Sequence, residues 1–206
     1  MKIKVCGLKH YQNIKSISEL DIDFIGLIFY KKSQRYINQN LSFDEVRAIP
    51  NSVKKVGVFV DEDDYAIINT IAHFELDYVQ LHGNESPETC KELKKYAGVI
   101  KAFGLSDSFN FELLNEYQGL VDYFLFDTAT ESKGGSGKIF NWEILKKYKL
   151  NIPFFLSGGI STAHIADIET IKHPQLIGLD VNSKFEIEPG LKDAEQVKEF
   201  IQHIKN

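Results

Sequence analysis

The chain has 206 residues, 43% of them hydrophobic and 26% charged, which is the composition of an ordinary globular protein and not of a disordered one. Its 24 basic and 29 acidic residues give a net charge of -5, which argues against a dedicated nucleic-acid-binding protein. No stretch approaches the ~20 apolar residues of a membrane span, and the opening MKIKVCGL is too short and too charged for a signal peptide.

Short apolar runs with the length and the β-branched or aromatic content of strands recur along the whole chain. They start near residues 2, 23, 53, 76, 98, 121, 152 and 175. Several of them, notably FIGLIFY and PFFLSGG, are apolar on both faces. This pattern favours parallel strands that are buried on two sides over half-exposed hairpins.

The segments between these runs are predicted to form helices. In EDDYAIINTIAHF the apolar residues recur three and four positions apart, as on one face of a helix. Ser86, followed by Pro87, begins another helix with a cap residue and a proline at the first position. Two more helices are predicted to begin at Ser161 and at Asp193. The resulting order is a strand and a helix repeated eight times.

Eight such units predict an α/β fold, a single (βα)8 TIM barrel with outer helices, and one domain over residues 1–206. The alternative is a doubly wound open sheet, which often carries a glycine-rich turn after its first strand. No GxGxxG follows the first strand here, and no Pro/Gly/Ser-rich linker divides the chain. The closed barrel is therefore the preferred prediction.

Cys6 ends the first predicted strand and Asp127 the sixth, at the barrel end where catalytic groups lie in this fold. A thiolate base and a carboxylic acid could move protons between two atoms of one substrate. We expect nearby positive charge to lower the pKa of Cys6 from its usual value of about 8.5. The alternatives are a small buried Cys6 and an Asp127 that only forms a turn. Because Cys6 and Cys90 are the only cysteines, we do not expect a disulfide scaffold. We expect the protein to act in a reducing compartment, the cytoplasm.

The loops after the last two strands predict a phosphate site. Ser157-Gly158-Gly159 leads into a predicted helix, and Asn182-Ser183 follows the eighth strand. Glycines let backbone N–H groups approach an anion, and TIM barrels often bind phosphate between these two loops. A tight turn without a ligand is the alternative interpretation of the glycines.

Three further features belong to the same predicted end of the barrel. Arg35, after the second strand, could hold a carboxylate at two points, whereas Lys31 and Lys32 beside it are expected to be solvated. His82 follows the fourth strand and is predicted to form a wall of the pocket. The segment from Lys133 to Lys138 lacks the spacing of a nucleotide loop and is predicted to be a lid or a plain flexible loop.

Seven motifs in sequence order make the chain resemble the phosphoribosylanthranilate isomerase family over nearly its entire length. They are KVCGL, GLIFYKKSQRYI, VGVFVDE, VQLHGNES, FLFDT with GGSGKIFNW, LSGGI, and GLDVNSKFEIEPGLKD. The resemblance implies an isomerase of tryptophan biosynthesis that uses neither cofactor nor metal. It would convert N-(5-phosphoribosyl)anthranilate into 1-(2-carboxyphenylamino)-1-deoxyribulose 5-phosphate by an Amadori rearrangement.

The resemblance also implies roles for individual residues. Asp127 would protonate the furanose ring oxygen, and Cys6 would remove the proton from ribose carbon 2. Arg35 would hold the anthranilate carboxylate. The phosphate would be bound by residues of the last two loops, Gly158, Gly159, Asn182 and Ser183.

Two motifs depart from the usual family pattern: Leu8-Lys9-His10 follow Cys6-Gly7 where the family often reads CGIT or CGLT, and Lys184-Phe185 stand where Gly-Val is common. The rival hypotheses are another phosphosugar barrel enzyme, such as an indoleglycerol-phosphate synthase or a pentose-phosphate epimerase, and a non-catalytic sensor of a phosphorylated ligand. The joint presence of Cys6 and Asp127 argues against the sensor. We expect a small phosphorylated substrate as partner, no nucleic acid or membrane, and a monomer or homodimer.

Overall fold

The computed structural model describes residues 1–37, 41–128 and 142–205. Eight parallel strands form a closed barrel in the order of the sequence. The strands are β1 (Lys2–Cys6), β2 (Phe24–Ile28), β3 (Lys54–Phe59), β4 (Tyr78–Leu81), β5 (Gly98–Leu105), β6 (Tyr123–Thr128), β7 (Phe154–Ser157) and β8 (Leu176–Val181). The predicted closed barrel is confirmed, and the open sheet is excluded because β1 pairs with both β2 and β8.

Six α-helices lie in the described residues: α1 (Tyr11–Ser18), α2 (Phe43–Arg47), α3 (Asp64–Phe74), α4 (Pro87–Leu93), α5 (Ile165–Thr170) and α6 (Ala194–Lys205). The predicted caps hold at two of them. The Ser86 hydroxyl accepts a hydrogen bond from the N–H of Thr89 at 3.3 Å, and the Asp193 carboxylate accepts one from the N–H of Gln196 at 3.1 Å. None of the described helices is long and apolar enough to cross a membrane.

In the described residues the prediction of an α-helix after every strand is wrong after β5 and β6, and after β7 the α-helix begins later than predicted. A 3₁₀ helix, Phe111–Tyr117, follows β5, and another, Trp142–Lys147, precedes β7. Ser161 precedes the short 3₁₀ helix Thr162–His164, which leads into α5. Tight turns of this kind are common in short connections, where few residues are available for α-helical hydrogen bonds.

An antiparallel hairpin that the sequence did not predict follows β8. It consists of β9 (Glu186–Glu188) and β10 (Leu191–Lys192). The side chain of Asn13 on α1 fixes it, because its amide donates to the Lys192 carbonyl at 2.9 Å and its oxygen accepts from the Lys192 N–H at 2.7 Å. The hairpin is thereby held beside the carboxyl end of the barrel.

The barrel interior is apolar toward the amino ends of the strands and polar toward their carboxyl ends. A separate buried cluster fills the apolar part with Phe24, Val56, Ile100, Ala102, Leu125 and Phe155. The rings of Phe24 and Phe155 meet edge to face with their centroids 5.2 Å apart. Above this cluster, Lys4, Gln80 and Asp180 are buried although they are polar. Because an apolar plug closes one end, only the other end can hold a polar ligand.

Candidate active site

A cavity of about 340 Å³ lies at the carboxyl ends of the strands. All of the predicted site residues except Arg35 line it, namely Cys6, His82, Asp127, Gly158, Gly159, Asn182 and Ser183. These residues come from strands or loops that are far apart in sequence, so their convergence is a consequence of barrel closure. The location agrees with the rule that catalysis in this fold occurs at the carboxyl end.

Cys6 ends β1 and is 4% exposed. The neighbouring strand makes room for it, since a Cβ atom on Gly26 of β2 would lie 2.6 Å from the Cys6 sulfur. The positive charge expected near the thiol is present as Lys4 and Lys192, but the expected lowering of the pKa is not found. Burial raises the pKa of Cys6 above its ordinary value and outweighs both lysines.

Asp127, at the end of β6, is in contact with His82 across the cavity. His82 Nε2 and Asp127 Oδ2 are 3.5 Å apart. On the other side of the ring, the Gln80 amide nitrogen lies 2.8 Å from His82 Nδ1. With Gln80 donating to Nδ1, the imidazole proton lies on Nε2 and points at Asp127. His82 is therefore more than the cavity wall that the sequence predicts, because it orients toward a candidate catalytic carboxyl.

Gln80 also leaves one polar atom available in the cavity. Its amide oxygen is buried and has no hydrogen-bond partner among the described residues, while its nitrogen is taken by His82. A buried acceptor without a donor is unfavourable, so a ligand hydroxyl that donated to it would gain from the contact.

The two glycines after β7 adopt backbone conformations with positive φ. Gly158 has a φ of 93° and Gly159 a φ of 66°. Successive backbone N–H groups in turns of this kind form concave surfaces that bind anions. Among the described residues, no atom outside its chain neighbours lies within 4 Å of a Cβ built on Gly159.

Asn182 and Ser183 follow β8 on the adjacent side of the cavity. The Asn182 side-chain oxygen accepts a hydrogen bond from the Lys192 ammonium at 2.6 Å, which fixes the orientation of the amide. Of the two residues that depart from the family pattern after β8, Lys184 lines the cavity. Phe185 instead enters the core and packs against Phe200 with ring centroids 5.0 Å apart. Compared with Gly-Val, Lys184 therefore adds a positive charge to the cavity lining, and Phe185 adds an aromatic ring to the core.

Arg35 does not line the cavity, because its guanidinium is paired with Glu186. Glu186, on the hairpin, also accepts a hydrogen bond from Lys192 at 2.5 Å. Burial alone would raise the pKa of Glu186, but the hydrogen bonds from Arg35 and Lys192 bring it below its ordinary value. The three side chains form one charged network beside the cavity.

Sequence reasoning missed Lys4, Asp180, Glu186 and Lys192, all of which are buried or nearly so at this end. One signal for the first pair is in the sequence, since Lys4 and Asp180 each stand between two apolar residues of a predicted strand. The segment from Lys133 to Lys138 lies outside the described residues. Within the described ranges, no group of three or more His, Cys, Asp or Glu side chains could hold a metal ion.

Comparison with known proteins gives a consistent result. The model of the family described as N-(5'-phosphoribosyl)anthranilate (PRA) isomerase matches residues 3–203. The N-(5'-phosphoribosyl)anthranilate isomerase of Parabacteroides distasonis is 47% identical over 209 residues, which cover 99% of this chain and 93% of that protein.

Solved structures agree over the same length. The crystal structure of phosphoribosyl anthranilate isomerase from Thermotoga maritima matches with a TM-score of 0.83 and 33% identity, covering 100% of this chain and 98% of the other. A phosphoribosyl anthranilate isomerase in complex with reduced 1-(o-carboxyphenylamino)-1-deoxyribulose 5-phosphate matches with a TM-score of 0.81 and 30% identity, at the same coverage.

Proposed function

The chain belongs to the N-(5'-phosphoribosyl)anthranilate isomerase family, and from this we propose how its cavity carries out the reaction. The activity is that of an isomerase of tryptophan biosynthesis, an intramolecular oxidoreductase of the aldose–ketose type. The observation that carries the proposal is that Cys6 of β1 and Asp127 of β6 line one cavity, together with the phosphate-type turn after β7. This arrangement supports a mechanism in which Asp127 as the acid, Cys6 as the base and the anion-binding turn act on one substrate.

Asp127 acts first, as the general acid. It gives its proton to the furanose ring oxygen, the bond from that oxygen to carbon 1 breaks, and the nitrogen lone pair forms the C=N bond of a Schiff base. His82, 3.5 Å from the Asp127 carboxyl, donates to the carboxylate that this step creates. The hydrogen bond stabilises the charge where it develops, which is where an enzyme gains most.

Cys6 acts second, as the general base. Its thiolate removes the proton from ribose carbon 2, and the electron pair of that C–H bond forms the C=C bond of an enolamine while the C=N bond becomes a C–N single bond. Transfer of the proton from the carbon 2 hydroxyl to carbon 1 then gives the ketone. No oxidant or reductant is consumed, so we propose a reaction without cofactor or metal.

The remaining residues hold the substrate. The turn at Gly158 and Gly159, together with Asn182 and Ser183, binds the phosphate through backbone and amide N–H groups. Arg35 holds the anthranilate carboxylate from the rim, and the free oxygen of Gln80 accepts from a sugar hydroxyl. The carboxylate and the phosphate are thereby bound at opposite ends of the reacting ribose.

The assembly and location of the protein are part of the same proposal. The related isomerase from Thermotoga maritima is dimeric, and we propose a monomer or homodimer that acts in the cytoplasm. Its partner is the small phosphorylated substrate, with no role for nucleic acid or membrane. Residues 1–206 are proposed to form one barrel domain.

Turnover by the native protein tests the proposal against a non-catalytic sensor. Freshly made phosphoribosylanthranilate should disappear with a decay of its anthranilate-type fluorescence, and the reduced product analogue should bind competitively. Binding of the analogue without any turnover would favour a sensor of phosphorylated ligands. If the protein neither bound the analogue nor turned over the substrate, the assignment of this cavity as the active site would be wrong.

A further inference from the structure

Lys4 is a charged side chain enclosed in the barrel. It lies on β1 between Ile3 and Val5 and is completely buried. Because successive side chains of a strand point to opposite faces, Lys4 lies on the same face as Cys6, two residues further on. That face is the barrel interior directly beneath the cavity.

The partner of Lys4 is Asp180, the register neighbour of Lys4 on β8. The ammonium donates to the Asp180 carboxylate at 2.9 Å, and both groups are buried. Buried ion pairs of this kind contribute little net stability, because the desolvation of two charges offsets most of their attraction. The pair is therefore poorly explained by stability alone.

Asp180 lines the same cavity as Cys6, so its ion pair with Lys4 holds the ammonium at the cavity end of the barrel interior. Burial raises the pKa of Cys6, and Lys4 is the charged group that most strongly favours the thiolate against this effect. The other charged groups that act on the thiol come from the neighbouring elements. Asp180 of β8 opposes the thiolate, Lys192 of β10 favours it, and the guanidinium of Arg35 interacts with it from the loop after β2. His82 and Asp127 act on Asp180 from the far side of the cavity.

We propose that Lys4 is a positioning residue that stabilises the thiolate form of Cys6, and that Asp180 holds the Lys4 ammonium at the sulfur. The inference rests on the proposed role of Cys6 as the base. It explains why a lysine occupies the interior of an apolar strand two residues before that base. Without the ammonium, a thiol enclosed by apolar and carboxylate groups would ionise only at a much higher pH.

Alkylation of Cys6 by iodoacetamide tests this proposal without requiring turnover. The rate is measured by peptide mass spectrometry as a function of pH, which separates Cys6 from the fully buried Cys90. In Lys4→Met the midpoint of the pH–rate curve should rise by about 1–3 pH units, the usual effect of losing a close opposite charge. The kcat of the same variant should fall at neutral pH and recover in part as the pH rises.

A double variant, Lys4→Met with Asp180→Asn, keeps the test decisive if the single variant fails to fold, because it leaves no unpaired buried charge. Its midpoint should stay above that of the native protein, since Lys4 favours the thiolate more than Asp180 opposes it. The control Lys54→Met removes one positive charge at the start of β3, where Lys54 pairs with Asp77, and should leave the midpoint unchanged.

A native midpoint in both Lys4 variants would overturn the role of Lys4. Full turnover by Cys6→Ser would instead overturn the proposed function of Cys6, whatever the alkylation curves show. The two failures are thus distinguishable.

Discussion

Arg35 and Glu186 form a two-point ion pair beside the cavity, with Nε and Oε1 2.8 Å apart and Nη2 and Oε2 2.6 Å apart. Lys192 donates to the same carboxylate, so the hairpin of β9 and β10 sets the direction of the guanidinium. A carboxylate of the substrate would meet a side chain that is already oriented. Such preorganisation reduces the entropy that is lost on binding.

Arg35→Ala should therefore weaken substrate binding more than it slows chemistry. We expect KM to rise about 10- to 100-fold, which corresponds to the ~1.5–3 kcal/mol of a hydrogen bond to a charged group. The kcat should change little, because the carboxylate is held equally in the ground and transition states. Initial rates measure both, with Lys31→Ala in the same loop as the control. An equal KM in the two variants would contradict the role of Arg35.

Glu186→Gln should lower the free energy of unfolding at neutral pH and should make it fall less as the pH is lowered. The native hydrogen bonds hold the pKa of Glu186 below its ordinary value, so the unfolded chain takes up this proton at a higher pH than the folded chain. The stability that the carboxylate contributes is present above the unfolded pKa of about 4.3 and is lost as the pH falls through the folded value. Removing the Glu186 carboxylate leaves Arg35 and Lys192 without their shared anion, which we expect to cost about 3–5 kcal/mol of stability at neutral pH.

Thermal unfolding over a pH series measures this effect. Glu188→Gln is the matched control, because Glu188 lies on the same strand of the hairpin but is exposed. Equal unfolding temperatures for the two variants at neutral pH would show that the network of Arg35, Glu186 and Lys192 adds nothing.

His82 and Gln80 should act on catalysis as one unit. His82→Phe removes the donor to Asp127, and we expect kcat to fall by about 10- to 100-fold. Gln80→Met releases the ring and should have a smaller effect in the same direction. If Gln80 acts through His82, the double variant is no slower than His82→Phe alone, because coupled residues are not additive. Fully additive losses in kcat would contradict the chain of contacts from Gln80 to Asp127.

Gly26→Ala should damage activity more than stability. The added Cβ would lie 2.6 Å from the Cys6 sulfur, so the base must shift. Gly57→Ala is the matched control, since its Cβ would meet the Leu76 side chain at the same distance, 2.6 Å, away from the cavity. Both should lose about 1–3 kcal/mol through overpacking, measured by urea unfolding. Only Gly26→Ala should show a large loss of kcat, and equal kcat losses would contradict the local effect on Cys6.

The strands were predictable because their signal is local. Every strand begins within about two residues of its predicted start, and most of the strands are rich in the β-branched or aromatic residues that mark buried parallel strands. Cys6, Asp127 and the glycines after β7 followed from the strand ends once the barrel was assumed. The 3₁₀ helix at Phe111–Tyr117 was not predictable in this way, since its sequence is compatible with an α-helix.

The charged network was out of reach for a different reason. Lys4 and Asp180 are 176 positions apart, and their ion pair exists only because barrel closure places β8 beside β1. Glu186 pairs with Arg35, 151 positions away, and lies on a hairpin whose sequence shows no clear hydrophobic periodicity. Pairing partners of this kind depend on register, which a single sequence does not specify.

The most direct test of the central claim compares Cys6→Ser and Asp127→Asn with the native protein. Turnover of freshly made phosphoribosylanthranilate is followed by fluorescence, and affinity for the reduced product analogue is measured by calorimetry. We predict that each variant binds the analogue with nearly native affinity while kcat falls by about 10²–10⁴-fold, the usual contribution of one acid or base. Native-like turnover by either variant would contradict the assignment of that residue.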